Sequence, residues 1–270
     1  MRALLAVGGP DTDSRRFARA VKGSEGARTA LIVNAVHWLR ALDYDGLLLH
    51  IARPETFTTS DYEVNEFVLA MHDFLEKRGK VVSVVLPTEP ERRSTYFSPY
   101  AYAQKLEVMV LWSHDLIERP RKATCPSPIR YGRGVHGSRP HSLASVLESV
   151  GSSYGAEEQT RLVMSRMLLT FSLAGFYFDL EQPNPMHRGH PHPPLPREVI
   201  VDSASYIAYH QICGDKRWNT TYNAVTGCVE MVGEHGWISY PGRPRREILT
   251  NVAGAVLFDL DMDDYEGICG

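Results

Sequence analysis

The segment that most restricts how this chain can fold is Gly46-Leu47-Leu48-Leu49-His50-Ile51, because both of its alternating faces are rich in apolar residues. In a strand, Leu47, Leu49 and Ile51 share one side while residues 48, 50 and 52 share the other. Such a strand fits a parallel sheet covered by helices better than an antiparallel sheet with one wet face. Apolar runs at 3–7, 81–86, 107–112, 167–171 and 254–259 join the one at 47–51, so six strands are expected. Between the first two, Phe17 to Leu39 reads as a helix, with Ala30, Ile32, Val33, Val36 and Leu39 at helical spacing. The chain is therefore expected to be α/β.

The residues around 43–54, from Asp43-Tyr44-Asp45-Gly46 to Ala52-Arg53-Pro54, resemble the catalytic strand of glycoside hydrolase family 18, the chitinases and chitinase-like lectins. In that family the strand reads aromatic-Asp-Gly-x-Asp-x-Asp-x-Glu-Tyr-Pro, and its Glu is the acid that protonates the glycosidic oxygen. Aligned on Asp45-Gly46 and Pro54, the second Asp falls at Leu48, the third at His50 and the Glu at Ala52. A methyl group cannot donate a proton. General acid catalysis contributes about 10²–10⁴-fold, and in the substrate-assisted chemistry that the resemblance implies, the sugar's acetamido group is the nucleophile. A non-catalytic protein, not an enzyme, is expected.

The resemblance spans the whole chain. Arg2 to Gly9 is similar to the family's third barrel strand, with Pro10 where an aromatic is usual; Val81 to Pro87 is similar to the fifth and Lys105 to Asp115 to the sixth. His114 stands where the family has the tyrosine that holds the acetamido group. Met167 to Phe178 resembles the seventh strand, with Ala174 in place of tyrosine and Phe176 in place of arginine. Tyr209-His210-Gln211-Ile212-Cys213 and Trp237-Ile238-Ser239-Tyr240 resemble landmarks of the family's small α+β insertion, and Gly254 to Gly270 its last strand, with Phe258 where tryptophan floors the central subsite.

The implied fold is an incomplete (β/α)8 TIM-type barrel, in which six strands leave the first two missing and the barrel open. The implied organisation is 1–180 as the third to seventh strands, 181–240 as the α+β insertion and 241–270 as the last helix and eighth strand. Trp112, His114, Asp115, Phe176 and Phe258 are the expected ligand contacts at the barrel mouth, with Tyr177 as a further aromatic. His50 and Asp115 share lumen-facing positions, which suggests a hydrogen bond between them.

Composition narrows the partners. A net charge of −3 with no concentrated basic face argues against nucleic acid. No apolar run approaches the roughly 20 residues needed to span a bilayer. The first residues run straight into a strand and carry no signal-peptide pattern, so an extracellular location is expected from the resemblance alone. Four cysteines, all after residue 120, suit an oxidising compartment, and their number does not fix their pairing. The resemblance implies a Cys213–Cys269 disulfide, leaving Cys125 and Cys228 as a second bridge or two free thiols. Asn219-Thr220-Thr221 is an N-glycosylation sequon. The proline-rich loop Glu181 to Pro196 holds His187, His190 and His192, but no convincing fourth ligand, so no metal is expected. Gly132 to Arg139 is a second loop. No cofactor is implied.

The leading expectation is a monomeric chitinase-like protein that binds chitin or N-acetylglucosamine oligosaccharides weakly. The alternatives are a secreted signalling or growth-factor-like relative, and a residually active chitinase that uses another acid such as Glu55, Asp115 or Asp259.

Overall fold

The computed structural model describes residues 2–9, 21, 23–51, 61–114, 116, 124–130, 142–180, 201–242 and 249–263. In chain order the elements begin with β1 (Leu4–Gly9), α1 (Glu25–Ala41), β2 (Gly46–Ile51), α2 (Asp61–Glu76) and β3 (Val81–Leu86). Two short helices, α3 (Pro90–Tyr96) and α4 (Pro99–Lys105), lead to β4 (Met109–Leu111); α5 (Leu143–Ser152) and α6 (Glu157–Ser165) lead to β5 (Met167–Ser172). There follow β6 (Gly175–Leu180), β7 (Val201–Ile207), β8 (Asn219–Asn223), β9 (Cys228–Val232), β10 (Gly236–Pro241) and β11 (Gly254–Phe258).

Six strands form one curled half-barrel sheet in the order β1-β2-β3-β4-β5-β11, with parallel pairing from β1 through β5. These are the six apolar runs of the sequence. Helical connections are what parallel pairing demands, since a strand must be carried back to its starting edge before it can pair in the same direction. The apolar runs are buried accordingly: Val82, Val84, Val85 and Leu86 on β3 and Leu47, Leu49 and Ile51 on β2 are at most 2% exposed. The incomplete TIM-type barrel is thus the observed architecture.

Helix α1 starts later than the spacing predicts. The Ser24 side chain caps it by accepting the Ala27 N–H (3.3 Å), which fixes the first turn at Glu25. It buries Ala35, Val36 and Leu39, while Ala30 and Val33 are exposed, because only the stripe that continues through Val36 and Leu39 meets the core. Residues 17–20 lie outside the described residues.

The remaining strands form an antiparallel sheet in the order β7-β6-β10-β9-β8. One face packs Phe178, Leu180, Val232 and Trp237; the other packs Ile212, Met231 and Ile238. This sheet takes in Gly175–Leu180, which the sequence pattern assigns to the barrel segment 1–180. The apolar run from Met167 to Leu180 conceals a break at Leu173-Ala174, where the Ala174 N–H donates to Ser172 Oγ (3.0 Å) and the Leu173 N–H to the Phe258 carbonyl (3.1 Å). Among the described residues of 181–240, the helical element is a single 3-10 turn, Tyr209–Gln211. The helix expected before β11 falls largely outside the described residues.

The chain divides into two compact units. The first holds residues 1–112, 149–169 and 250–254; the second holds 113–148, 170–249 and 255–270. Within the second, Cys125 and Cys228 form a disulfide that closes a separation of 103 residues. Cys213 is also disulfide-bonded, and Cys269 lies outside the described residues.

Candidate functional site

Barrels of this kind build their chemistry where parallel strands end. In the first unit the relevant end is that of β2, where Leu48 and His50 are half-buried on the side opposite the buried Leu47, Leu49 and Ile51. The His50 ring lies 4.5 Å from the ring of Trp112, just past β4, with the two planes tilted by 33°. Burial pushes the His50 imidazole down from the usual 6.5 to about 4. At neutral pH the ring is therefore uncharged and cannot supply a proton to a leaving group.

Asp45 lies at the opposite end of this strand. At about 3.3 Å per residue it sits roughly 16 Å along the strand from His50. Its Oδ2 accepts the Ala3 N–H (2.7 Å), its own N–H donates to the Ala3 carbonyl (2.7 Å), and its carbonyl accepts the Val81 N–H (3.0 Å). Asp45 thus stitches together the starts of β1, β2 and β3. Gly46 is held by the same geometry, since a Cβ there would stand 2.1 Å from the Val81 carbonyl oxygen. Gly8, at φ +94°, approaches the His50 carbonyl so closely that a Cβ would meet its oxygen at 2.3 Å. Asp45, Gly46 and Gly8 are thus residues that the backbone itself requires.

In the second unit, polar side chains lie just past β4, in the last three residues of β5 and just past β11. Ser113 and Thr170 are fully buried and bonded to each other: the Ser113 N–H donates to Thr170 Oγ1 (2.6 Å), Ser113 Oγ donates to the Thr170 carbonyl (2.8 Å), and the Thr170 N–H donates to Ser113 Oγ (2.9 Å). Thr170 Oγ1 also accepts the His114 N–H (3.1 Å) and lies 2.8 Å from His114 Nδ1. Ser127 Oγ donates to the His114 carbonyl. The His114 ring stacks on Phe258 at 4.8 Å, with 26° between planes. Beyond Phe258, Asp259 adopts φ +58°, a conformation that non-glycine residues rarely hold, and its Oδ2 accepts a hydrogen bond from Ser172 Oγ (2.5 Å). An aromatic ring, an imidazole and a carboxylate are thereby fixed by buried hydroxyls. This set offers a stacking surface and polar contacts to a neutral, hydroxyl-rich ligand.

Of the expected contacts, the structure brings His114 and Phe258 together and places Trp112 against His50. Phe176 belongs to the antiparallel sheet, where it meets Tyr206 edge-on at 4.8 Å and Phe178 at 5.6 Å. Its neighbours there are packing partners, and Tyr177 likewise packs on the opposite face, edge-on to Trp218 at 6.3 Å. Ala52, Glu55, Asp115, the three loop histidines and the loop 132–139 lie outside the described residues, and with Asp115 the suggested His50 pair. Sequence reasoning missed Ser113, Thr170 and Ser172. Their signal was alternation: Thr170 and Ser172 are the only hydroxyls of β5 and share one of its faces.

No protein-family model matches the sequence, and no curated protein matches it. Solved structures do match in fold. The catalytic domain 2 of the Group II chitinase of Ostrinia furnacalis, in complex with (NAG)5, superposes with a TM-score of 0.80 at 16% identity, over 99% of this chain and 73% of that one. Human YKL-39, described as a pseudo-chitinase with retained chitooligosaccharide binding properties, gives 0.77 at 19% identity, over 100% of this chain and 76% of that one. The class V chitinase of Nicotiana tobaccum gives 0.75 at 15% identity, over 100% and 78%. The chain has a chitinase-like fold.

Proposed function

We propose that this chain is a non-catalytic chitinase-like protein that binds chito-oligosaccharides through groups at its parallel strand ends. The observation that carries this reading is the described end of β2, where Leu48 and His50 stand at the family's carboxylate positions and burial keeps the imidazole neutral above about pH 4. With alanine at position 52, bond cleavage has no donor on this strand. Sugar contacts come from His114, Phe258 and Asp259 in the second unit. The match to human YKL-39 supports retained binding without turnover, and an active chitinase of Trichuris suis matches the fold to a similar extent, with a TM-score of 0.76.

Secretion belongs with this reading. The Cys125–Cys228 disulfide fits an oxidising compartment, and Asn219 of the sequon is exposed on β8.

The test pairs two assays on the full chain. A fluorogenic chitobioside is expected to show no release above background, and isothermal titration with (NAG)5 is expected to show saturable binding that Phe258→Ala weakens tenfold or more. Release above background that disappears in Asp259→Asn would establish the residual-chitinase alternative instead. Absence of any (NAG)5 binding would remove the lectin reading.

A further inference from the structure

The first unit carries a pocket remote in character from the strand ends. Helices α3 and α4 and the turn between α5 and α6 border an open pocket of about 360 Å³, lined among others by Arg93, Phe97, Pro99, Tyr100, Ala101 and Tyr154. Arg93 is the unusual member, being only 2% exposed. Its Nη1 donates to the carbonyls of Pro87 (3.3 Å) and Thr88 (3.0 Å), and its Nη2 donates to Ser149 Oγ (3.2 Å). These bonds tie the end of β3 to α5. They use three of the five N–H donors of a guanidinium, and all three acceptors are neutral.

The charge has no close counter-ion among the described residues. Among the described residues no carboxylate lies within ion-pair distance of Arg93; Glu89 pairs with Arg92 instead (3.3 Å). Glu89 and Glu91 act on Arg93 only at longer range. Tyr154 does not supply the missing anion either, because burial pushes its phenol up and the pull of Arg93 only partly offsets this. A buried cation is costly unless an anion meets it. Tyr100 and Tyr154, with ring centroids 6.5 Å apart, add flat apolar surface beside that cation.

We propose that this pocket binds a small organic anion, a carboxylate carried on a flat apolar ring. Its carboxylate accepts the remaining N–H groups of Arg93, and its ring packs against Tyr100 and Tyr154. The argument is independent of carbohydrate binding, since none of these residues belongs to the strand-end groups.

Benzoate is the probe and benzamide its uncharged counterpart, each titrated into the full chain by heteronuclear NMR. Saturable benzoate binding at least tenfold tighter than benzamide is expected, because a charge-assisted hydrogen bond is worth that much or more. Ala101→Phe, which fills the pocket without touching the guanidinium, should abolish it, and Arg93→Met should erase the preference for the acid. Should Arg93→Met fail to fold, Ala101→Phe alone decides. Equal affinity for the two probes, absence of binding, or benzoate binding that survives Ala101→Phe would overturn the proposal.

Discussion

The two strand-end regions have been treated in opposite ways. At the end of β2 the described polar group is a histidine that burial holds neutral against a tryptophan. Just past β4, in the last three residues of β5 and just past β11, Ser113 and His114, Thr170 and Ser172, and Asp259 are polar and hydrogen-bonded among themselves. A buried polar group persists when it has a partner and is costly when it does not. The first region kept its backbone frame, Asp45 and the two glycines, and none of the motif's other carboxylates among the described residues. The second holds two hydrogen-bonded groups, Ser113–His114–Thr170 and Ser172–Asp259. The comparison teaches that residues which resemble part of a catalytic motif can be ones the fold itself needs.

The largest effect should come from the frame. Gly46→Ala places a methyl group against the Val81 carbonyl oxygen, where neither backbone can easily yield, so a loss of about 3 kcal/mol or more is expected from urea unfolding. A near-neutral result would break the claim that Gly46 is kept for packing. Next is the covalent closure of the second unit: Cys125→Ser with Cys228→Ser should cost about 2–4 kcal/mol. Hydrogen exchange should rise across β8 and β9 more than across β2 and β3; the reverse would argue that the bridge stabilises something other than its own unit.

Thr170→Val comes third. It strips the oxygen that accepts the N–H groups of Ser113 and His114, leaving buried donors unpaired, and should cost about 2 kcal/mol. An unchanged unfolding midpoint would show that the network is not a network.

The smallest effects, taken per pH unit, are two slopes of opposite sign. His50 has a folded pKa lowered by burial, so the unfolded chain binds its proton more readily. Its contribution is complete above about 6.5, falls by at most about 1.4 kcal/mol per pH unit down to about 4, and is flat below. Glu230, in the antiparallel sheet, has its carboxyl raised by burial, against which the Asn223 hydrogen bond pulls. Its contribution is complete below the ordinary glutamate value of about 4.3 and is lost as pH rises through the folded value. Each slope should vanish in His50→Gln and Glu230→Gln respectively, read from denaturant midpoints at several pH values.

The parallel strands were legible because a strand covered on both sides writes itself as an unbroken apolar run, as at Val81 to Leu86. The same property hid the join at Leu173-Ala174, since one apolar strand followed another with only those two residues between them. Asp45 shows a different limit: its spacing to His50 suits a catalytic motif, yet its position before Gly46 sets it at the strand's other end. His114 and Phe258 could be named from the resemblance, whereas isolated Ser and Thr residues gain meaning only when the sheet sets Thr170 beside Ser113.

The four tryptophans fall two to a unit: Trp38 and Trp112 in the first, Trp218 and Trp237 in the second. Trp38 is 43% exposed and already emits from a wet surface, whereas Trp237 is fully enclosed between β6 and β9. Intrinsic fluorescence followed at the blue edge of the spectrum should therefore report the opening of the antiparallel sheet, and a Trp237→Phe chain should leave a signal weighted toward its three other indoles.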